Sequence, residues 1–297
     1  MVEHHQGLPR VKATGFESCS RRCEKCGIGA SNTLDAQRVT YIHRDPLTNI
    51  PAAYREGALD VLSRALNVRS RNSKKSRFGF STSEDAVTWV VFNYLLKSGR
   101  LVEALQAMGV CPLNVAVAEP SLLLWGVPLS PGPLGAALRS RLEENCSALG
   151  ENPESFSEPD VIVDLGENGL LFIEVKHLSG NDKQASSYAA WSKYESVGRL
   201  AWRFPDIRQT GCYELARNWC LLERLAAGRR ATLVNLGPAR LFEGAEGVRL
   251  DLFTSALGES GSMKFRKVTW AALLASVLPT APDWLSTFCI RERKLLS

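Results

Sequence analysis

The stretch PDVIVDLGENGLLFIEVKH, Pro159 to His177, sets Asp160, Asp164, Glu174 and Lys176 among apolar residues. Charges on a half-buried sheet are costly to desolvate unless they pair or bind a metal. Alternation puts Asp160, Ile162 and Asp164 on one face of a strand, and Glu174 and Lys176 on one face of the next. The segment 166–169 (GENG) reads as the turn. A loop of Glu167 and Asn168 would set Asp160 opposite Val175, on the wrong face from Glu174. A loop of Glu167, Asn168 and Gly169 pairs Gly166 with Leu170 and Asp160 with Lys176, with a positive φ expected at Gly169. All four charges then converge. Two neighbouring carboxylates repel, and oxygen ligands with open positions suit Mg²⁺ or Mn²⁺. A lysine beside such an ion steadies or deprotonates an attacking water and offsets charge developing on a phosphate. Those parts suffice for metal-assisted hydrolysis of a phosphodiester.

Pro159-Asp160, then Glu174-Val175-Lys176 after thirteen intervening residues, resembles the signature of the PD-(D/E)XK, or restriction-endonuclease-like, nuclease superfamily. The resemblance implies that Asp160 and Glu174 bind the metal, that the backbone carbonyl of Val175 joins them, and that Lys176 assists the nucleophile. Members often carry an acid on the helix before the sheet. Glu84, in SEDAVTWVVFNYLL, fits that place, although a first-turn carboxylate also suits a helix dipole. Gln184-Ala-Ser-Ser-Tyr188 resembles the QxxxY element of the RecB-like and phage-exonuclease branches, with both side chains on one helical face and Trp191 continuing it. Packing of Tyr188 and Trp191 in the core explains that face too, Trp191 above all. The resemblance spans roughly Ser81 to Val277.

Neighbouring polar residues carry less. Asp164 shares the site face but sits beside the turn, an auxiliary at most. His177 points away from Lys176, which favours a structural role. In YELARNW, Tyr213, Arg217 and Asn218 could contact phosphates, while helix packing accounts equally for Tyr213 and Trp219. A second cluster, Cys19-Ser-Arg-Arg-Cys23-Glu-Lys-Cys26-Gly, has zinc-ligand spacing, with Cys23-x-x-Cys26 as a half-site and Cys19 and His43 as further ligands. His4, His5 or Cys111 are alternatives for the fourth. An iron–sulfur cluster and plain thiols are the competing readings, the thiols taking the larger share. Cys146, Cys212, Cys220 and Cys289 read as small core residues.

The elements that must position these groups follow from periodicity. Ala58, Leu59, Leu62, Ala65 and Leu66 fall at helical spacing, and Ser83 is an N-cap with Glu84 and Asp85 in the first turn of a helix reaching about Gly99. VAVAEPSLLLWG supplies short apolar runs, and a helix is expected near Leu134–Leu149. Asn181 caps a helix over DKQASSYAAWSKYESV. CYELARNWCLLERLAAG is a helix ending at Gly228, and ATLVNLG is a buried strand. Trp270–Val277 and Trp284–Leu296 close the chain as helices. The fold expected is α/β: a restriction-endonuclease-like core with a central mixed sheet flanked by helices, and an irregular cysteine-containing N-terminal appendage. Three regions are expected: the appendage over 1–50, a helix and basic linker over 51–80, and the nuclease-like domain over 81–297.

Composition bounds the setting. The 297 residues are 45% hydrophobic and 23% charged, with seven tryptophans, as in a globular protein with a sizeable core. No apolar run reaches the length of a membrane helix, and the opening MVEHHQGLPR carries no h-region, so a cytoplasmic, reducing setting is expected and disulfides are not. The net charge of +5 is uneven: residues 1–78 hold 14 Lys/Arg against 7 Asp/Glu. RSRNSKKSRF (69–78) is its densest part, either an electrostatic footprint for nucleic acid or a solvated linker. The function expected is a Mg²⁺- or Mn²⁺-dependent nuclease, on DNA first, in restriction, defence or DNA processing. An RNA-directed nuclease and a catalytically inactive nucleic-acid-binding protein are the alternatives.

Overall fold

The structure, a computed structural model, describes residues 13–31, 40–111, 120–130, 132–181, 188–195, 202–258 and 261–291. A six-stranded sheet forms its centre. In chain order the described strands are β1 (Arg21–Cys23), β2 (Ile28–Ser31), β3 (Thr40–His43), β4 (Ser121–Leu124), β5 (Val127–Pro128), β6 (Val161–Asp164), β7 (Leu170–Val175), β8 (Ala231–Gly237) and β9 (Met263–Thr269). The large sheet runs β5-β4-β6-β7-β8-β9. Strands β4, β6 and β7 pair antiparallel, whereas β7, β8 and β9 run parallel. The mixed α/β sheet expected from the sequence is therefore present.

Helices cover both faces. They are α1 (Ala58–Ser63), α2 (Arg71–Phe78), α3 (Glu84–Lys97), α4 (Leu101–Ala107), α5 (Pro133–Ala148), α6 (Tyr188–Ser192), α7 (Phe204–Thr210), α8 (Tyr213–Ala226), α9 (Gly244–Ala256), α10 (Trp270–Leu274) and α11 (Asp283–Arg291). Strand alternation splits the core in two. Val161, Val163, Leu171, Ile173 and Val175 pack with α1, α3, α4, α10 and α11. Ile162, Leu170 and Phe172 face the other way, onto α5, α7, α8 and α9. Strand β7 has a neighbour on each side and a helix layer on each face, so all six of its residues are buried. Helix α3 is the most enclosed helix, with Ala86 through Leu95 buried. Ser83 caps it, its side chain accepting from the Ala86 amide at 3.2 Å.

Several boundaries differ from the sequence reading. The basic stretch expected to be a linker is mostly helix α2, because its charges find partners. Arg71 donates to the Ala65 carbonyl at 2.8 Å, and Lys74 is paired with Asp85 and Glu158. Ala58, Val61, Leu62, Ala65 and Phe78 lie in the same core as α3, so 51–80 packs as part of the main body. The described part of the first fifty residues, 13–31 and 40–50, is less irregular than expected. Strands β1, β2 and β3 form a small antiparallel sheet over Ala13, Phe16, Cys19 and Ile42. It is joined to the body by a bridge between Ile42 and Phe80 and by the Tyr41–Ser81 and His43–Gly79 hydrogen bonds. Strand β9 and helix α9 were not expected. β9 alternates buried Met263 and Phe265 with exposed Lys264, the charge pattern of an edge strand.

Candidate active site

The hairpin β6–β7 brings the charged residues together, in a register two residues away from the expected one. Val161 pairs with Ile173 and Asp164 with Leu170, which sets Asp160 opposite Glu174 instead of opposite Lys176. A slip of two keeps every side chain on its face, so Asp160, Glu174 and Lys176 still converge. Asp164 stays at the turn end, and the expected meeting of all four charges does not occur. The turn explains the slip. Gly166–Asn168 forms a single 3₁₀ turn, closed by the Leu165 amide on the Gly169 carbonyl at 2.8 Å. Gly169 has the expected positive φ, +131°, and Gly166 takes the left-handed conformation at +63°. Two glycines, not one, make this turn.

Asp160 enters β6 with its own carbonyl accepting from the Trp125 amide at 3.1 Å, which extends the β4–β6 pairing. Its Oδ2 accepts from the Val175 amide at 2.8 Å. The amide of Val175 thus meets this carboxylate. Glu174 is 4% exposed. Its Oε1 accepts from Lys176 Nζ at 2.7 Å and its Oε2 from Asn218 Nδ2 at 2.8 Å. Lys176 also donates to Glu214 Oε2 at 2.9 Å. Helix α8 thus supplies two groups to the site: Glu214, not anticipated from sequence, and Asn218. They stand at i and i+4 and reach the same strand face.

Glu84, at the start of α3, arrives from the other helix layer. Its Oε2 accepts from the His177 amide at 2.8 Å, and its oxygens accept from Ser179 Oγ at 2.9 and 3.1 Å. This fixes the chain as it leaves β7, helped by Trp270 Nε1 donating to the Lys176 carbonyl at 3.0 Å. Below Glu174, Asn235 of β8 is fully buried and exchanges two amide hydrogen bonds with Asn181, at 2.9 and 3.2 Å. Lys74 of α2 closes the opposite side. Its Nζ lies 3.0 Å from Asp85, 3.3 Å from Glu158 and 5.1 Å from the centre of the Trp125 ring. The site thus lies where the parallel strands β7 and β8 end and β6 begins.

Electrostatics follow from this crowding. Burial, and then the charge of Glu174, raises the Asp160 pKa well above the ordinary carboxylate value; Lys74, Lys176 and the Val175 amide pull the other way without prevailing. Burial likewise raises Glu84, against the pull of Lys176, Ser179 and the His177 amide. Burial opposes the charge on Lys176, but Glu174, Glu214, Glu84 and Asp160 overcome it and raise its pKa well above the usual lysine value. Lys176 is therefore held protonated among acids. Asp160 and Glu174 are opposed across two strands and repel, and carboxylate oxygens are the donor type that hard divalent cations take. Among the described residues, no group of three or more His, Cys, Asp or Glu side chains is placed to hold a metal by itself.

The other expected residues fall as follows. Gln184 lies outside the described residues, and Tyr188 opens α6. Trp191 is 5% exposed and packs edge-on against Phe204 and Tyr213, the core role. Asp164 is bound to Arg229 at 2.8 Å and to the Gly166 amide at 2.9 Å, so it serves the turn. His177 is buried, its carbonyl accepting from Arg240 at 2.7 Å. The cysteine cluster divides. Cys19 lies in the small N-terminal core, its thiol pKa raised by burial, and His43 Nδ1 is 2.9 Å from Thr48 Oγ1. Cys23, the last residue of β1, and Cys26, on the turn that follows, stay together and exposed, and Cys26 lowers the Cys23 pKa. Cys111 is buried, and His4 and His5 lie outside the described residues. No helix among the described residues is long and apolar enough to cross a membrane. No family model, curated protein or solved structure matches this chain.

Proposed function

We propose that this protein is a divalent-metal-dependent nuclease, with a restriction-endonuclease-like core, that hydrolyses phosphodiester bonds in DNA. One observation carries the reading: Asp160 opposes Glu174 across β6–β7, and Lys176 Nζ lies 2.7 Å from Glu174 at the same strand ends. Enclosing a carboxylate pair and a lysine costs stability that an apolar hairpin would not lose, which favours a working site. Mg²⁺ or Mn²⁺ on Asp160 and Glu174 would supply Lewis acidity toward a phosphoryl oxygen and lower the pKa of water. Water and substrate oxygens would complete its coordination, since the chain itself offers two carboxylates.

The rest is done by protein groups. Lys176, kept protonated by its acidic neighbours in the metal-free protein, would donate to the negative charge developing on the phosphate. Asn218 orients Glu174, the Val175 amide orients Asp160, and Glu84 holds the chain through 177–179. Incubating the protein with supercoiled DNA, linear DNA and RNA, each with Mg²⁺, Mn²⁺ or EDTA, tests the reading. Metal-dependent cleavage of DNA that EDTA abolishes supports it, and nicking of circles identifies endonuclease action. Cleavage of RNA alone would transfer the site to the other polymer. No cleavage of any of them, with binding retained, would leave a nucleic-acid-binding protein.

A further inference from the structure

The face of α8 that reaches the site carries three consecutive polar side chains at i, i+3 and i+4: Glu214, Arg217 and Asn218. Two of them are engaged there, Glu214 with Lys176 and Asn218 with Glu174. Arg217 is different. Its Nε is sealed from solvent and has no hydrogen-bond partner among the described residues. Nor does its guanidinium form an ion pair within reach of any described carboxylate, although every other cation at the site does. The residue as a whole is half-buried, and a sealed donor left without a partner costs free energy on folding. Its surroundings keep it charged. Burial works against the charge, and Glu214, Glu174, Tyr194 and Glu151 overcome it. Glu151 does not need Arg217 as a hydrogen-bond donor, because it already accepts from the Ser157 amide at 2.6 Å, Ser157 Oγ at 2.7 Å and the Tyr194 hydroxyl at 2.7 Å.

We infer that Arg217 is a substrate-binding residue whose unfilled donors receive a phosphate of the nucleic-acid backbone at the mouth formed by α8 and the ends of β6 and β7. The inference rests on the nuclease reading and deepens it. The planar fork of arginine matches two phosphate oxygens at once, which a lysine cannot do. Standing between Glu214 and Asn218, it would hold the strand against the carboxylate pair and offset the repulsion that Glu214, Glu174 and Asp160 exert on an approaching anion. Its role is to bind and orient. Proton transfer does not pass through it, because an arginine stays charged.

The test measures binding apart from cleavage. A fluorescent DNA duplex is titrated in Ca²⁺, in place of Mg²⁺ or Mn²⁺, across a range of salt concentrations, with wild type, Arg217→Gln and Arg217→Lys. Arg217→Gln should bind about tenfold more weakly and flatten the plot of log affinity against log salt by about 0.9, the value of one lost phosphate contact. Arg217→Lys should recover the slope, since it keeps the charge. If Arg217→Gln does not fold, Arg217→Lys carries the test through its cleavage kinetics. The lost fork should then raise KM by about fivefold or more, and an unchanged KM would overturn the inference. A folded Arg217→Gln with wild-type affinity and slope would also overturn it, while wild-type cleavage left the nuclease reading standing. Conversely, wild type that binds the duplex but cuts nothing with Mg²⁺ or Mn²⁺ would remove the hydrolytic reading, and the slope would still decide Arg217. Wild type that binds no nucleic acid would overturn both.

Discussion

At the scale of single residues, the site is a set of charges that partly disfavour one another. Asp160 is the clearest case, because burial and Glu174 hold its pKa above the unfolded value of 3.8. An acid raised in this way binds its proton more readily when folded, so the metal-free protein loses stability as pH rises from about 4 through the folded pKa. Asp160→Asn removes that loss and keeps an oxygen for the Val175 amide. In EDTA at about pH 7 its Tm should exceed that of wild type by roughly 2–4 °C, with the two converging near pH 4. Thermal scans across pH check this, and a lower Tm at neutral pH would contradict the assignment. Glu214 acts on Lys176. Its carboxylate helps raise the lysine pKa, so Glu214→Gln should move the alkaline limb of kcat/KM to lower pH. An unmoved limb would mean that Lys176 does not set it. The residues of the hairpin were legible in the sequence, since charges on an apolar alternating pattern stand out. Glu214 was not, because it reaches Lys176 across a helix–sheet interface that no local pattern reports.

At the scale of elements, period two sufficed to place Asp160 and Glu174 on one face, whereas the register needed the turn. GENG contains two glycines, and either could have carried the positive φ. The structure uses both, and the pairing moves by two residues without changing faces. Gly169 is the more constrained: a Cβ there would lie 2.9 Å from the Arg230 carbonyl oxygen, at φ +131°. Gly169→Ala should therefore cost about 1–3 kcal/mol in urea denaturation, with a loss below about 0.5 kcal/mol contradicting the strain. Helix α2 was hidden for another reason. RSRNSKKSRF shows no apolar stripe, and what holds it as a helix is tertiary: Lys74 between Asp85 and Glu158, and Arg71 on the Ala65 carbonyl. Edge strand β9 was missed because its charges mask the alternation of Met263 and Phe265.

At the scale of the whole molecule, the excess of basic residues before position 79 looked like one footprint, and folding divides it. Arg69 pairs with Glu154 at 3.0 Å, and Lys74 turns inward toward the site, leaving Lys75 half-buried and Arg77 exposed on α2. Replacing Lys75 and Arg77 with Gln should weaken DNA binding and flatten its salt dependence at unchanged stability. Lys74→Ala should instead cost about 2–4 kcal/mol, because Asp85 and Glu158 would lose their buried counter-ion. Denaturation and binding titrations on both variants separate the two roles, and a Lys74→Ala protein as stable as wild type would contradict the inward assignment. The two helix layers, the mixed sheet and the carboxylate hairpin all converge on the strand ends where Lys176 stands. The most direct test is conversion of supercoiled plasmid by wild type and Lys176→Ala in Mg²⁺ or Mn²⁺, with binding of the same plasmid measured alongside. The account predicts metal-dependent cleavage by wild type, a loss of at least about 100-fold in the variant, and nearly equal binding; cleavage by Lys176→Ala at the wild-type rate would contradict it.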